Sequence, residues 1–394
     1  MIVKPRIKLI ALLLSSTLTV MAGATISPSL PGMSVAFQNQ PNYEILVKLT
    51  LSIPALFVTI SSPIVGIIID RWKRKPIFMI SIFVYAAAGS SGYFLSSLND
   101  ILIGRAILGI AVGGIMTTTT TLISDYFTGE KRSRVIGMQG AFMSFGGVIF
   151  LLSGGFLADV DWRTPFLIYL FSLFILPLVL YSIKEPFISM SEGKTRQKSI
   201  FRIWIVYMIY PIAVFSMIIF YLVPTQMPFL LKDLTGASNS EVGIAIASMT
   251  LSSAFTALLY NKVKSKLRFQ YIFVLLFLLM GVGYVIISVS ESYAQVITGL
   301  IIGGLGLGLL LPNMNLWLVS ETPELLRGSA VGGLVSFIFL GQFLSPLVGQ
   351  PIFELFGMHI TYGLAGISML IVSGGFLIYN ARNRHWEYPV DDRK

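Results

Sequence analysis

Between Gly66 and Pro76 the chain follows the spacing G-x-x-x-D-R-x-x-R-[RK]-P, with Asp70, Arg71, Arg74 and Lys75 at the charged positions. A carboxylate at Asp70 can accept hydrogen bonds from an arginine or a helix N-terminus, and Gly66 lets a neighbouring helix come close. Such parts suit an electrostatic latch; the plainer reading is a basic loop that only fixes membrane topology. Arg105 is the second informative residue, because it lies inside an apolar run. A charge there is costly unless it meets protein or water, so Arg105 is expected beside a pathway or, alternatively, snorkelling to the headgroups.

Other chemistries are excluded by the residues that are missing. The sequence has no cysteine, and its two histidines are His359 and His385, so disulfides, thiolate nucleophiles and multi-histidine metal sites are not expected. An ion site built from carboxylates or carbonyls stays open. Gly193-Lys194-Thr195 ends like a phosphate-binding loop, but Ile188 stands where that loop needs its first glycine. Neither H-E-x-x-H nor G-x-S-x-G occurs. Gly303, Gly304, Gly306 and Gly308 lie in an apolar run and suit close helix packing better than dinucleotide binding. No enzyme activity, metal or cofactor is expected.

The elements that carry these residues must cross a membrane. Of the 394 residues 55% are hydrophobic and 12% charged, against roughly 25% charged in a soluble domain. Spans are predicted at 7–32, 46–69, 76–98, 101–124, 134–158, 165–183, 203–231, 240–261, 269–289, 293–320, 328–353 and 358–380. Twelve spans of about 20 residues leave little room for a soluble domain. The net charge of +10 sits between apolar runs, where Lys and Arg set topology, so no nucleic-acid partner is expected. All 28 Lys and Arg residues except Lys48, Arg105, Arg163 and Lys232 fall at the N-terminus, in the even-to-odd loops or in the C-terminal tail. Both termini are therefore expected in the cytoplasm. Lys4, Arg6 and Lys8, followed by an apolar run and Ala22-Gly23-Ala24, also resemble a secretory signal peptide. The segment is read as a first helix, because the two halves match only if it is kept.

The polar stretch from Lys184 to Lys198 divides six spans from six. The expected organisation is a bundle at 1–183, a linker at 184–199, a second bundle at 200–380 and a tail at 381–394. An internal duplication supports it. Setting Gly146 over Gly341 also sets Gly154 over Gly349, Arg132 over Arg327, and Asp70 and Arg71 over Ser265 and Lys266.

With these motifs in place the chain resembles the major facilitator superfamily, whose cytoplasmic signature between the second and third spans has the Gly66-to-Pro76 pattern. Arg105-x-x-x-Gly109-x-x-x-Gly113 is similar to the arginine motif of the drug:proton antiporter branch, and Trp162-Arg163-x-Pro165-Phe166 to the usual start of the sixth span. The resemblance implies an all-α membrane protein of two pseudo-symmetric six-helix bundles. It further implies a central cavity lined mainly by spans 1, 4, 7 and 10, alternating access by rocking, and no ATP hydrolysis. In the resembling branch the arginine is linked to proton movement. Asp125 resembles the acidic partner that relays charge to the latch, and Glu321 is its approximate repeat; both equally suit solvated helix ends. The relay needs Asp70 and Asp125 to compete for Arg71, Arg74 or Arg134. Two departures stand out: Gly146-x-x-x-Phe150-Leu151-x-x-Gly154-Gly155 lacks the branch's central Gly-Pro, and Ser265 replaces the latch aspartate in the second half.

No Asp or Glu lies deep in a predicted span, and Glu44, Asp159 and Glu354 are among those that fall near the outer surface. The cavity is expected to be polar and mostly uncharged, built from Thr118, Gln139, Tyr221, Gln226, Asn313, Asn315 and Gln342. Each of these could instead hydrogen-bond between helices. Pro312 is expected to free carbonyls beside Asn313 and Asn315. Two functions fit. One is a proton-driven exporter of small amphipathic compounds; the other is an organic-anion carrier with Arg105 as counter-ion. Expected partners are a small-molecule substrate, protons and the lipid bilayer, with a monomer in a bacterial inner membrane as the working unit.

Overall fold

Because a bilayer offers no water to the backbone, spanning segments must satisfy their own hydrogen bonds, and these apolar runs do so as helices. The computed structural model describes residues 5–185, 203–323 and 326–382. Most of the predicted linker at 184–199 and of the tail at 381–394 lies outside the described residues.

Span 1 is Arg6–Ala36, span 2 Tyr43–Ile69, span 3 Arg74–Phe94, span 4 Leu98–Tyr126, span 5 Gly129–Ala158 and span 6 Thr164–Ser182. Span 7 is Tyr207–Thr235, span 8 Asn239–Lys264, span 9 Phe269–Ser288 and span 10 Tyr293–Glu321. Spans 11 and 12 form one run, Arg327–Arg382, that turns at Gly357 with φ 79° and ψ 169°. That left-handed φ favours glycine, which is why the reversal needs no further loop. Span 1 is interrupted by the 3-10 turn Ser27–Ser29, whose Pro28 cannot donate to a helical partner.

The buried apolar residues separate into two cores. One draws on residues from Ala11 to Ile183 and the other on residues from Ile209 to Met369, with Tyr221 and Leu151 crossing between them. The halves repeat the same packing. A Cβ on Gly109 would meet the Pro54 carbonyl oxygen at 2.4 Å, so span 4 lies against span 2. A Cβ on Gly304, the duplicate position, would meet the Met249 carbonyl oxygen at 2.4 Å, so span 10 lies against span 8. The glycines of span 10 thus serve close helix packing.

Among the described residues, the loops after spans 2, 4, 8 and 10 gather basic residues at one end of the molecule, the basic end. At the opposite, far end the bundles are joined. Asp159, after span 5, accepts the Asn239 N–H at 2.7 Å and the Ser240 N–H at 3.2 Å, which places a carboxylate on the N-terminus of span 8. Ser27 Oγ donates at 2.6 Å to the Pro224 carbonyl, which Pro228 leaves without a helical donor. Along span 5, a Cβ on Gly147 would stand 3.6 Å from Thr250 Cγ2 of span 8. About two turns toward the basic end, on the same face, a Cβ on Gly140 would meet nothing within 4 Å. The bundles are shut together at the far end, and open space appears beside span 5 toward the basic end.

Candidate functional site

The basic-end cluster is built on Arg74, which opens span 3 and is 7% exposed. Its Nη1 forms an ion pair with Asp125 Oδ2 at the end of span 4. Glu185, just after span 6, accepts the Arg74 N–H at 2.6 Å and the Lys75 N–H at 3.2 Å. Those are two of the N–H groups that a helix start leaves without partners. Lys75 Nζ donates to the Leu180 carbonyl at 2.6 Å, and the Tyr126 hydroxyl donates to the Lys184 carbonyl. Lys8 of span 1 lies over the Tyr126 ring, 3.8 Å from its centroid. Spans 1, 3, 4 and 6 are thereby tied at one point.

Of the predicted latch residues, the structure brings Arg74, Lys75 and Asp125 together. Arg71 and Arg134 are exposed. Asp70 stands at the end of the helix that carries span 2, and its side chain lies outside the described residues. Gly66 needs correcting as a close-approach position, because a Cβ there would meet nothing within 4 Å. Glu185 was missed: it is the first acid of a stretch that reads as linker, and no periodicity marks it as a helix cap.

Arg105 does not snorkel. It is 1% exposed, and each guanidinium nitrogen has a partner. Nε donates to the Thr50 carbonyl at 2.7 Å, Nη1 to the Tyr169 hydroxyl at 2.7 Å, and Nη2 to the Ala22 carbonyl. Pro54 lacks the N–H that would otherwise take the Thr50 oxygen, and the first helix ends at Ala24, just beyond Ala22. The Tyr169 hydroxyl in turn donates to the Ala22 carbonyl at 2.9 Å. Tyr85 donates to the Leu18 carbonyl at 2.7 Å beside it. Gly109 and Gly113 seat span 4 against Pro54 and Ser61, which sets the depth at which Arg105 enters this cage.

The predicted cavity residues do not form one group. Gln139 Nε2 donates to Ser16 Oγ at 3.0 Å across spans 5 and 1. Thr118 is fully buried with its hydroxyl unpartnered. Tyr221 presses its hydroxyl against Gly23, joining span 7 to span 1. Gln226 lies at the far-end seam, 2% exposed. Asn313 is an internal brace of the second bundle: it accepts from Tyr260 at 3.2 Å and donates to the Phe269 carbonyl at 3.0 Å. Asn315 bonds back to the Leu311 carbonyl of its own helix at 3.0 Å, and Gln342 is partly exposed on span 11.

A profile described as Major Facilitator Superfamily matches residues 12–236 and 209–392. The chain is 24% identical over 355 residues to the multi-drug resistance efflux pump PmrA of Streptococcus pneumoniae, covering 87% of this chain and 89% of that one. It is 24% identical over 334 residues to the quinolone resistance protein NorA of Staphylococcus aureus, covering 81% and 84%. It superposes on a solved bacterial homolog of the human lysosomal transporter Spinster, in an inward-facing and unoccupied conformation, with TM-score 0.78, 17% identity and coverage of 98% and 100%. That last likeness concerns the fold.

Proposed function

The chain belongs to the major facilitator superfamily, and we propose that it exports small amphipathic organic compounds in exchange for protons. It is a multi-pass membrane transporter and not an enzyme. In this reading the basic end faces the cytoplasm of a bacterial inner membrane, as the distribution of Lys and Arg favours, and both termini lie inside. The working unit is a monomer that rocks one bundle, 1–183, against the other, 200–380. Arg74, Lys75 and Asp125, with Asp70 and Arg71 beside them, control the inner gate.

One observation carries the choice between the two functions. Arg105 has three occupied nitrogens and 1% exposure, so its charge is spent inside the first bundle and is closed to an anionic substrate. Uncharged polar groups such as Gln139 and Gln342, both partly exposed, then remain for contact with substrate, which suits neutral or cationic amphiphiles. The relative named as a multi-drug resistance efflux pump and the one named as a quinolone resistance protein point the same way.

The test is proton movement in everted vesicles energised to be acid inside, with cationic, neutral and anionic amphiphiles added in turn. Proton release that depends on this chain is expected with cationic or neutral compounds. Passage of labelled anions with no proton signal would replace this reading with the organic-anion carrier.

A further inference from the structure

At the far end, spans 2, 7 and 11 meet in a polar cluster that the inner gate does not use. Lys48 of span 2 is 2% exposed, and its ammonium donates to Gln350 Oε1 of span 11. The nitrogen lies 4.8 Å from the ring centroid of Phe229 and 4.8 Å from that of Phe353, so two aromatic faces help to hold the charge. Gln350 turns its Nε2 to two carboxylates, Glu44 Oε2 at 2.9 Å and Glu354 Oε1 at 2.8 Å. Gln226 approaches Gln350 Oε1 at 3.5 Å with its Nε2, while its own Oε1 is buried without a partner.

Lys48 and Glu44 come from the first bundle; Gln226, Phe229, Gln350, Phe353 and Glu354 come from the second. The cluster therefore exists only while the far end is shut. Parting the bundles would strip Lys48 of its acceptor and both rings. A second partner is in place, however. Glu44 precedes Lys48 by four residues on one helix, the order and spacing at which glutamate and lysine pair well. In the shut state that pair is not made: among the described residues no carboxylate oxygen lies within 4 Å of the Lys48 ammonium. Glu44 bonds to Gln350 instead.

We propose that Lys48 is the bolt of the outer gate, held by Gln350 when the far end is shut and handed to Glu44 when it opens. Each state keeps the ammonium paired, so neither strands a bare charge and the difference between them stays small enough for substrate or protons to tip. The proposal rests on the alternating-access reading above and names the residues that hold one of its end states.

The test uses Ser29, which is fully buried in the far-end turn with its hydroxyl unpartnered. In a chain without cysteine, Ser29→Cys gives one thiol whose reaction with a maleimide, measured in nanodiscs, reports far-end opening. Gln350→Leu removes the acceptor that ties Lys48 to the second bundle in the shut state and is expected to speed labelling by roughly tenfold. Glu44→Gln keeps an acceptor for Gln350 Nε2 but removes the charge that receives Lys48 on opening, so labelling should slow. In a Lys48→Met background both effects should vanish. Shifts in the same direction, no shift, or full effects without Lys48 would each overturn the bolt. The labelling needs neither substrate nor a proton gradient, so a negative vesicle experiment leaves this result intact, and a negative result here leaves the efflux reading intact.

Discussion

Arg105 Nε donates at 2.7 Å to the carbonyl of Thr50, the oxygen that Pro54 leaves without its helical donor. A helix imperfection in span 2 thus becomes a socket for a cation from span 4. The chain end of the first helix at Ala24 supplies the matching oxygen at Ala22. Two breaks and one arginine hold spans 1, 2, 4 and 6 as a unit, which is what a bundle that moves as a rigid body requires.

Arg105→Lys should fail to replace that socket, because one ammonium cannot span the Thr50, Ala22 and Tyr169 oxygens that a planar guanidinium reaches. The two orphaned acceptors should cost about 2–4 kcal/mol. A lowered melting temperature of the purified protein, with reduced transport, checks this. Melting and transport equal to wild type would mean that the cage holds nothing together.

At the basic end the ion pair and the helix cap should separate cleanly. Glu185→Ala orphans the Arg74 and Lys75 N–H groups and should cost about 1 kcal/mol of stability. A double-mutant cycle between Arg74→Gln and Asp125→Asn should show coupling of about 1–2 kcal/mol, since one partner is largely buried and the other only partly. Asp70→Asn should slow transport while protein level and substrate affinity hold. Rates unchanged by Asp70→Asn would remove the latch.

Glycine positions give a contrast inside one fold. Gly304→Ala would drive a Cβ to 2.0 Å from Ser252 Oγ and 2.4 Å from the Met249 carbonyl. Gly109→Ala would meet the Pro54 carbonyl at 2.4 Å. Each should cost about 1–3 kcal/mol by overpacking and lower the yield of folded protein. Gly140→Ala, which meets nothing within 4 Å, should express as wild type does. Equal yields for all three would contradict the packing of spans 2 and 4 and of spans 8 and 10.

The all-helical fold was legible because its determinants are additive along the chain. Apolar runs give the spans, and the offset that sets Gly109 over Gly304 gives helix pairs that pack alike in the two halves. The sites were less legible, because they depend on which carbonyls are free and which side chains meet across helices. Pro54 and Pro228 could have been read as sources of free carbonyls, yet nothing in one dimension says that Arg105 and Ser27 fill them. Asn313 beside Pro312 invited a cavity role, but its partners Tyr260 and Phe269 are far away in sequence. Lys48 stands out in the sequence only as a charge outside the basic loops, since its burial needs Phe229, Gln350 and Phe353 from the other bundle.

Rocking of the bundles makes one demand that a static channel does not. The face of span 5 that touches span 8 at the far end must leave it in every cycle. Gly147 and Thr250 lie on that seam, where a Cβ added at the first would stand 3.6 Å from Cγ2 of the second, within reach of a disulfide once both carry a thiol. Neither residue is a hydrogen-bond partner of Lys48, Arg74 or Arg105. In the pair Gly147→Cys and Thr250→Cys, oxidation should hold the far end shut and reduce transport by about tenfold or more, and a reductant should restore it. The reduced pair should transport near the wild-type rate, which separates a blocked motion from a damaged fold. Full transport by protein shown to be cross-linked would mean that spans 5 and 8 do not part, and the rocking of one bundle against the other would have to be abandoned.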